Sequence, residues 1–280
     1  MGTTGNENNQ NAKRSFICEC TKSAFVSGDT VSLEFIWPGP IPEAGQFFLL
    51  KPRRSGVFLG RPICASGWKL RKPSASGKPH VSGKSAAAGK PAVSWVLRFL
   101  ITRRGQGSKE LTEIRPGEEV ELTGPLGNFW PTEHIPKGPV ALVGGGVGIA
   151  PLLPLAQKLK KRPFDFYAGF GTGPFGLESI KPRTLVIATE DGSKGKKGRI
   201  LDFFSPAGYS GIFACGPDSM IKALAKAARA SGVSCYVSTG RLMACGVGAC
   251  LGCKINTTRG RLRCCADGPI FNTEELIFDD

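Results

Sequence analysis

Short apolar runs, each cut off by Gly or Pro, dominate the chain from about Phe16 to Pro131: VSLEFIW, AGQFFLLKP, VSWVLRFLIT and EEVELTGPLG. Runs of this length, rich in aliphatic and aromatic residues between turn signals, predict strands, and several in succession predict a small β-barrel or sandwich. The pattern then changes. Val140 to Val143 is a short apolar strand leading into the turn GGGVGIAP, and PLLPLAQKLKKR follows with helical spacing. FDFYAGF, TLVIATE and YSGIFACG read as further strands, and PDSMIKALAKAARASG reads as a second helix. Strands alternating with helices predict a parallel, doubly wound sheet, so the fold class is a β-barrel plus α/β. After Gly232 this pattern gives way to a cysteine-rich tail, and no internal repeat is evident.

At 280 residues and 41% hydrophobic content, the chain can build ordinary cores in two domains. No apolar run approaches the roughly 18 residues needed to span a bilayer, and the N-terminal MGTTGNENNQNAKRSF lacks the apolar stretch of a secretory signal. A cytoplasmic protein without membrane contact is expected.

The net charge of +15 invites a nucleic-acid reading. Much of it is local, because the segment from Trp68 to Ser94 carries Lys69, Arg71, Lys72, Lys78, Lys84 and Lys90 and no acid, leaving 15 − 6 = +9 elsewhere. That segment is rich in Ser, Gly, Pro and Ala, which predicts a flexible solvated insertion over residues 68–94. It has no interleaved aromatics to stack bases, so no nucleic-acid partner is expected. The two histidines, His80 and His134, fall in that insertion and in a Pro-rich linker, and no Ser/His/Asp set supports hydrolysis.

Five of the ten cysteines lie between positions 245 and 265. Cys245, Cys250 and Cys253 make C-x4-C-x2-C, followed at a distance by Cys264 and Cys265, which is the plant-type [2Fe-2S] spacing. Gly246, Gly248 and Gly252 can take positive φ and let backbone N–H groups turn toward cluster sulfurs. A zinc knuckle or buried free thiols is the alternative, although zinc ribbons favour two C-x2-C knuckles or added His. The spacing leaves either Cys264 or Cys265 as the fourth ligand.

MACGVGACLGCKI followed by CADGPIF resembles the C-terminal segment of the electron-transfer subunit of class 1B dihydroorotate dehydrogenase, a ferredoxin-reductase-like flavin and iron–sulfur family. The resemblance implies the ligand set Cys245, Cys250, Cys253 and Cys265, with Cys264 a neighbouring non-ligand. Arg61-Pro62-Ile63-Cys64 is similar to the family's Arg-Pro-Ile-Ser, which places the Arg on the flavin pyrophosphate and the Ser near the isoalloxazine. A planar, permanently charged fork suits a diphosphate. Cys64 stands at the Ser position, and a thiol is the weaker donor. The strand Leu100-Ile101-Thr102 is implied to line the flavin. Gly105-Gln-Gly107-Ser108 is similar to the segment whose N–H groups and hydroxyl meet its phosphates. Gly124-Pro125-Leu126-Gly127-Asn128 is similar to the turn that closes the barrel.

Gly144-Gly145-Gly146-Val147-Gly148, after a strand and before a helix, has the context of a phosphate-binding turn. It resembles the GGG-x-G-x-x-P form of nicotinamide domains, and Cys215-Gly216-Pro217 resembles the turn beside the nicotinamide ring, with Cys215 at the reacting position. Tight packing of the glycines and core burial of Cys215 are the plain alternatives. Lys194, Lys196 and Lys197, in the loop after TLVIATE, are read as facing water. Ser238-Thr-Gly240-Arg241 departs from the family, which usually has an acid before the Arg.

The resemblance spans about Phe16 to Phe278. It implies a disordered N-terminus at 1–15, an FAD barrel domain at 16–135, an NAD-binding α/β domain at 136–232 and a [2Fe-2S] domain at 233–280. The expected cofactors are FAD, a [2Fe-2S] cluster and NAD. The implied partner is an FMN-containing catalytic subunit in an assembly of two plus two chains, with electrons passing through the cluster and FAD to NAD+. This chain would hold no orotate site. Equivalent subunits of NADH-dependent ferredoxin:NADP+ oxidoreductases or sulfide dehydrogenases are the alternative, and a metal-binding nucleic-acid regulator is the remote one.

Overall fold

The structure is a computed structural model that describes residues 14–71, 94–159 and 161–278. The N-terminal segment expected at 1–15 lies outside these residues as far as position 13. Arg14 and Ser15 belong to the first strand, where they pair with Gly124 and Thr123.

Six antiparallel strands close into a barrel in the order β1-β2-β5-β4-β3-β6. They are β1 (Arg14–Ser27), β2 (Thr30–Trp37), β3 (Phe47–Pro52), β4 (Arg61–Leu70), β5 (Trp95–Thr102) and β6 (Glu119–Leu126), with the short helix α1 (Gln106–Thr112) between the last two. The barrel closes round an aromatic core. Trp37 meets Phe48 edge to face at 5.0 Å, and Phe48 meets Phe99 at 5.6 Å. Each such ring, fully buried, contributes about 1.5–3 kcal/mol.

The insertion begins later than its composition suggested. Trp68, Lys69 and Leu70 pair with Leu97, Val96 and Trp95, because the hairpin partner β5 extends β4 beyond its own apolar pattern. Residues 72–93 of the expected insertion lie outside the described set.

The second layer system is a seven-stranded sheet in the order β10-β9-β8-β7-β11-β12-β15. Its strands are β7 (Val140–Gly145), β8 (Phe164–Phe170), β9 (Thr184–Thr189), β10 (Lys196–Lys197), β11 (Gly211–Cys215), β12 (Cys235–Ser238) and β15 (Ile270–Asn272). All pairings are parallel except β12 with β15. Helices α2 (Leu152–Lys158) and α3 (Asp218–Ala230) cover it. The glycine turn runs first into a 3-10 turn over Gly146–Ile149, and α2 then starts within a residue of the expected PLLPLAQKLKKR but ends at Lys158, four residues before that pattern does.

A small hairpin, β13 (Lys254–Thr257) with β14 (Gly260–Arg263), completes the tail. The tail is woven into the rest. β15 adds the sheet's last strand, and Asn128, just past β6, holds the tail backbone through three hydrogen bonds to Asp267 and Ile270. Among the described residues no helix is long and apolar enough to cross a membrane.

Candidate functional site

Where β7 has β8 on one side and β11 on the other, the chain reverses direction across the sheet. Such switch points open a crevice at the carboxyl ends of the strands. The barrel wall of β4 and β5 faces this crevice, and between them lies a cleft of about 580 Å³. Arg61, Pro62, Ile63, Cys64, Leu100, Thr102, Gly107, Ser108, Gly148 and Cys215 all line it.

Ile101 does not. It alternates to the inner face of β5 and is buried in the barrel core, as the period of two requires. The expectation that all of Leu100, Ile101 and Thr102 line the cleft is corrected to the outer two.

Arg61 starts β4 and donates from Nη1 to the Leu59 carbonyl (3.1 Å). Its guanidinium lies over Gly107, where an added Cβ would overlap it. A positive fork therefore rests on the first turn of α1, whose N–H groups have no partner inside the helix. Ser108 lines the cleft and has a further task within its own loop. Its Oγ accepts from the N–H of Arg104 (2.8 Å) and Gly105 (3.0 Å) and donates to Gly105 O (3.0 Å), shaping the loop.

Burial pushes the Cys215 thiol up to about 12 and raises Cys64 further, so both stay protonated and uncharged. Cys215 is only partly buried and faces the cleft, so core packing does not describe it.

The four glycines of the turn divide their work. Gly148 touches the backbone of Cys215 and Gly216, a contact that a Cβ would break. Gly144 packs on Ile149 and Leu152, and Gly216 packs on Met220, and neither lines the cleft. Gly145, Gly146 and Pro217 face a second cavity of about 460 Å³, bounded also by Gly169, Gly171, Glu190 and Arg199. Lys194, Lys196 and Lys197 are exposed and lie outside its lining.

The cysteine tail presents its thiols two and two: Cys250 stands beside Cys245, and Cys253 beside Cys265. Among the described residues no three donor side chains crowd round a single point. Five backbone N–H groups point at these sulfurs. Val247 and Cys250 donate to Cys245 Sγ (both 3.4 Å), Gly248 to Cys265 Sγ (3.1 Å), Gly252 to Cys250 Sγ (3.5 Å) and Cys265 to Cys253 Sγ (3.4 Å). Burial raises Cys245, but the N–H groups of Cys250 and Val247 outweigh it and bring the thiol down to about 6. Two thiol pairs wrapped in N–H donors fit a two-iron cluster.

Gly246 and Gly248 have φ of +66° and +82° as expected, whereas Gly252 is not left-handed. Leu251, at φ +58°, takes that conformation and turns the Gly252 N–H to the sulfur. Asp267, not anticipated from the sequence, braces the loop. Its Oδ2 accepts from Arg263 N (2.7 Å) and Nε (3.0 Å), its Oδ1 from Nη2 (3.0 Å), and these bonds hold its carboxyl below the usual range.

A barrel, a glycine-turned parallel sheet and the cleft between them define a ferredoxin-reductase-like oxidoreductase fold. A structure of NADH-dependent reduced ferredoxin-NADP oxidoreductase superposes with a TM-score of 0.73 at 26% identity, covering 93% of this chain and 90% of that one. A cytochrome P450 reductase from Amycolatopsis shares the fold at 22% identity and a TM-score of 0.57, covering 78% of this chain and 66% of that one.

Residues 240–277 match the iron-sulfur cluster binding domain of dihydroorotate dehydrogenase B. The electron transfer subunit of dihydroorotate dehydrogenase B (NAD(+)) from Clostridium acetobutylicum is 41% identical over 186 residues, covering 66% of this chain and 75% of that protein. Its counterpart from Caldanaerobacter subterraneus is 33% identical over 260 residues, covering 90% and 94%. The chain belongs to the family of dihydroorotate dehydrogenase B electron transfer subunits.

Proposed function

We propose that this chain carries electrons from a dihydroorotate-oxidising catalytic subunit to NAD+, through a [2Fe-2S] cluster on the tail and FAD in the cleft, as part of pyrimidine biosynthesis in the cytoplasm. The barrel at 16–135 holds FAD, the sheet at 136–232 docks NAD, and residues 233–280 hold the cluster. One observation carries this reading. The stretch from Ser238 to Met243 forms a wall of the cleft, and Cys245, two residues on, is the first cluster thiol.

A flavin bound there exchanges hydride with a nicotinamide and single electrons with a two-iron cluster. Arg61 and the α1 N–H groups balance the flavin's diphosphate, Gly107 leaving room for both. Leu100, Val147 and the neutral thiols of Cys64 and Cys215 give the cleft an uncharged stretch of wall that excludes water. Gly145, Gly146 and Pro217 accept the nicotinamide nucleotide, and Gly148 brings its turn against Cys215. Cys245, Cys250, Cys253 and Cys265 ligate iron, with the N–H groups around them supporting the thiolate charge. Cys250 is exposed, and Leu242 (92% exposed), Val247 and Leu251 give that part of the tail an apolar surface suited to an FMN-containing partner.

Anaerobically purified chain should carry FAD and about two irons. It should reduce dyes with NADH, and oxidise dihydroorotate only with the partner chain added. Colourless protein that stays so after reconstitution overturns the reading. The likeness to the NADH-dependent reduced ferredoxin-NADP oxidoreductase favours a second one, in which the same relay serves a different subunit. The identity of the co-purifying chain separates them.

A further inference from the structure

Behind the cleft wall lies a cavity of about 150 Å³ with no part in the function proposed so far. Asp218, Lys222 and Arg241 supply its charged groups, and Arg241 Nη1 stands 3.6 Å from the Asp218 carboxylate. Ile255, Leu276 and Phe278 close its apolar side. At about 30 Å³ of liquid per molecule, it has room for several waters with polar partners. Ser238 and Thr239 line both this cavity and the cleft, so the wall between the two is one residue thick there.

The cleft has four side-chain hydroxyls, and three are bonded to partners other than the thiols of Cys64 and Cys215. Thr102 Oγ1 is bonded to Thr30 Oγ1 at 2.9 Å, Ser108 Oγ shapes the α1 loop, and Thr239 Oγ1 donates to Pro269 O at 3.2 Å. Ser238, 96% buried by its 4% exposure, turns its hydroxyl to the thiols of Cys64 and Cys215. Register places Ser238 beside Cys215 on neighbouring strands. His134 does not line the cleft.

We propose that the small cavity is a proton chamber and that Ser238 is the hydroxyl through which protons pass between it and the flavin cleft. The proposal rests on the placement of FAD in that cleft. Electrons arriving singly from a cluster bring no proton, yet two-electron reduction of a flavin adds one at N5. Ser238 gives its hydroxyl proton to N5 and takes one from chamber water, which is resupplied from solvent past Asp218. When two electrons leave singly toward the cluster, the same protons run backward. Hydride exchange with a nicotinamide carries its own hydrogen and bypasses the relay, so the two half-reactions depend on Ser238 differently.

The test uses full-length protein with its cofactors, after flavin content has been measured. Ser238→Ala should affect NADH-driven flavin bleaching far less than flavin reoxidation in stopped flow. It should slow reoxidation by the one-electron acceptor ferricyanide by about 100-fold, the lower range for a lost proton-transfer group, and raise that step's solvent deuterium isotope effect. Ser238→Thr should restore both. If Ser238→Ala does not fold, Asp218→Asn replaces it, with a smaller slowing confined to the same step. A crystal structure of the flavin-free protein should show water bonded to Ser238 Oγ inside the chamber. A dry chamber, or equal effects on both half-reactions, or none, overturns the relay. Protein that binds no flavin refutes the function proposed above instead.

Discussion

Cys264 and Cys265 share a peptide bond and near-total burial, yet their sulfurs meet different company. Cys264 Sγ lies 3.4 Å from Thr239 Oγ1, in the direction of the cleft, whereas Cys265 Sγ takes the Gly248 N–H at 3.1 Å and stands beside Cys253. The two open the turn that follows β14, where successive side chains point apart, and spacing alone left both open as the fourth ligand. Cys264→Ala is therefore expected to keep about two irons per chain and its visible spectrum, whereas Cys265→Ala loses them. Iron assay with absorption at matched protein concentration checks this. At the other end of the cleft, Gly107→Ala would drive a methyl into the Arg61 guanidinium. Flavin retention through gel filtration should fall while the iron content stays unchanged. What the sequence concealed at this scale were residues whose partners are remote or local in unexpected ways. Ser108 shapes its own loop, Asp267 pairs with Arg263, and Ile101 obeys strand alternation.

Elements with a strong period were legible: the apolar strands of the parallel sheet, helix α3 and most barrel strands. Strand β4 was not, because RPICASGWKL has Pro, Gly and charge where alternation is looked for, and its last three residues are strand only through pairing with β5. Strand β8 carries a charge that its pattern also hid. Asp165, at 3% exposure, accepts from Arg183 Nε (3.0 Å) and Nη2 (2.6 Å) and from Tyr209 Oη (2.8 Å). Hydrogen bonds from Arg183 come first in holding its carboxyl below the usual range, opposed by burial. A depressed folded pKa means the stabilisation is complete above the unfolded value of about 4 and is lost as pH falls through the lower folded one. Asp165→Asn should cost about 1–3 kcal/mol at neutral pH, and its unfolding free energy should fall less steeply below pH ~4. Urea melts across an acidic pH series measure both.

At the scale of the whole molecule, the tail reads in sequence as an appendage but is structurally a clamp. β15 extends the α/β sheet by pairing with β12, and its first residue, Ile270, accepts from Asn128 Nδ2 (2.8 Å) and donates to Asn128 Oδ1 (3.0 Å). Asn128 follows the last barrel strand, so one amide side chain ties barrel, sheet edge and cluster loop together. An electron relay needs this, because tunnelling partners held on separately mobile bodies would not keep a fixed separation. Nothing in the turn GPLGN announces the role, since the bonds reach about 140 positions along the chain. Asn128→Ala removes both partners of a two-way bond and leaves the Ile270 backbone unpaired, at about 1–3 kcal/mol. The more telling expectation concerns cooperativity. In the native protein, flavin release and cluster bleaching should coincide on heating, because neither site loosens without the other. In the Asn128→Ala protein the cluster absorption should be lost at a lower temperature than flavin fluorescence appears. Coincident transitions in the variant would show that the clamp resides elsewhere, in the β12–β15 pairing and in backbone bonds such as Asn128 N–H to Gly268 O (2.7 Å).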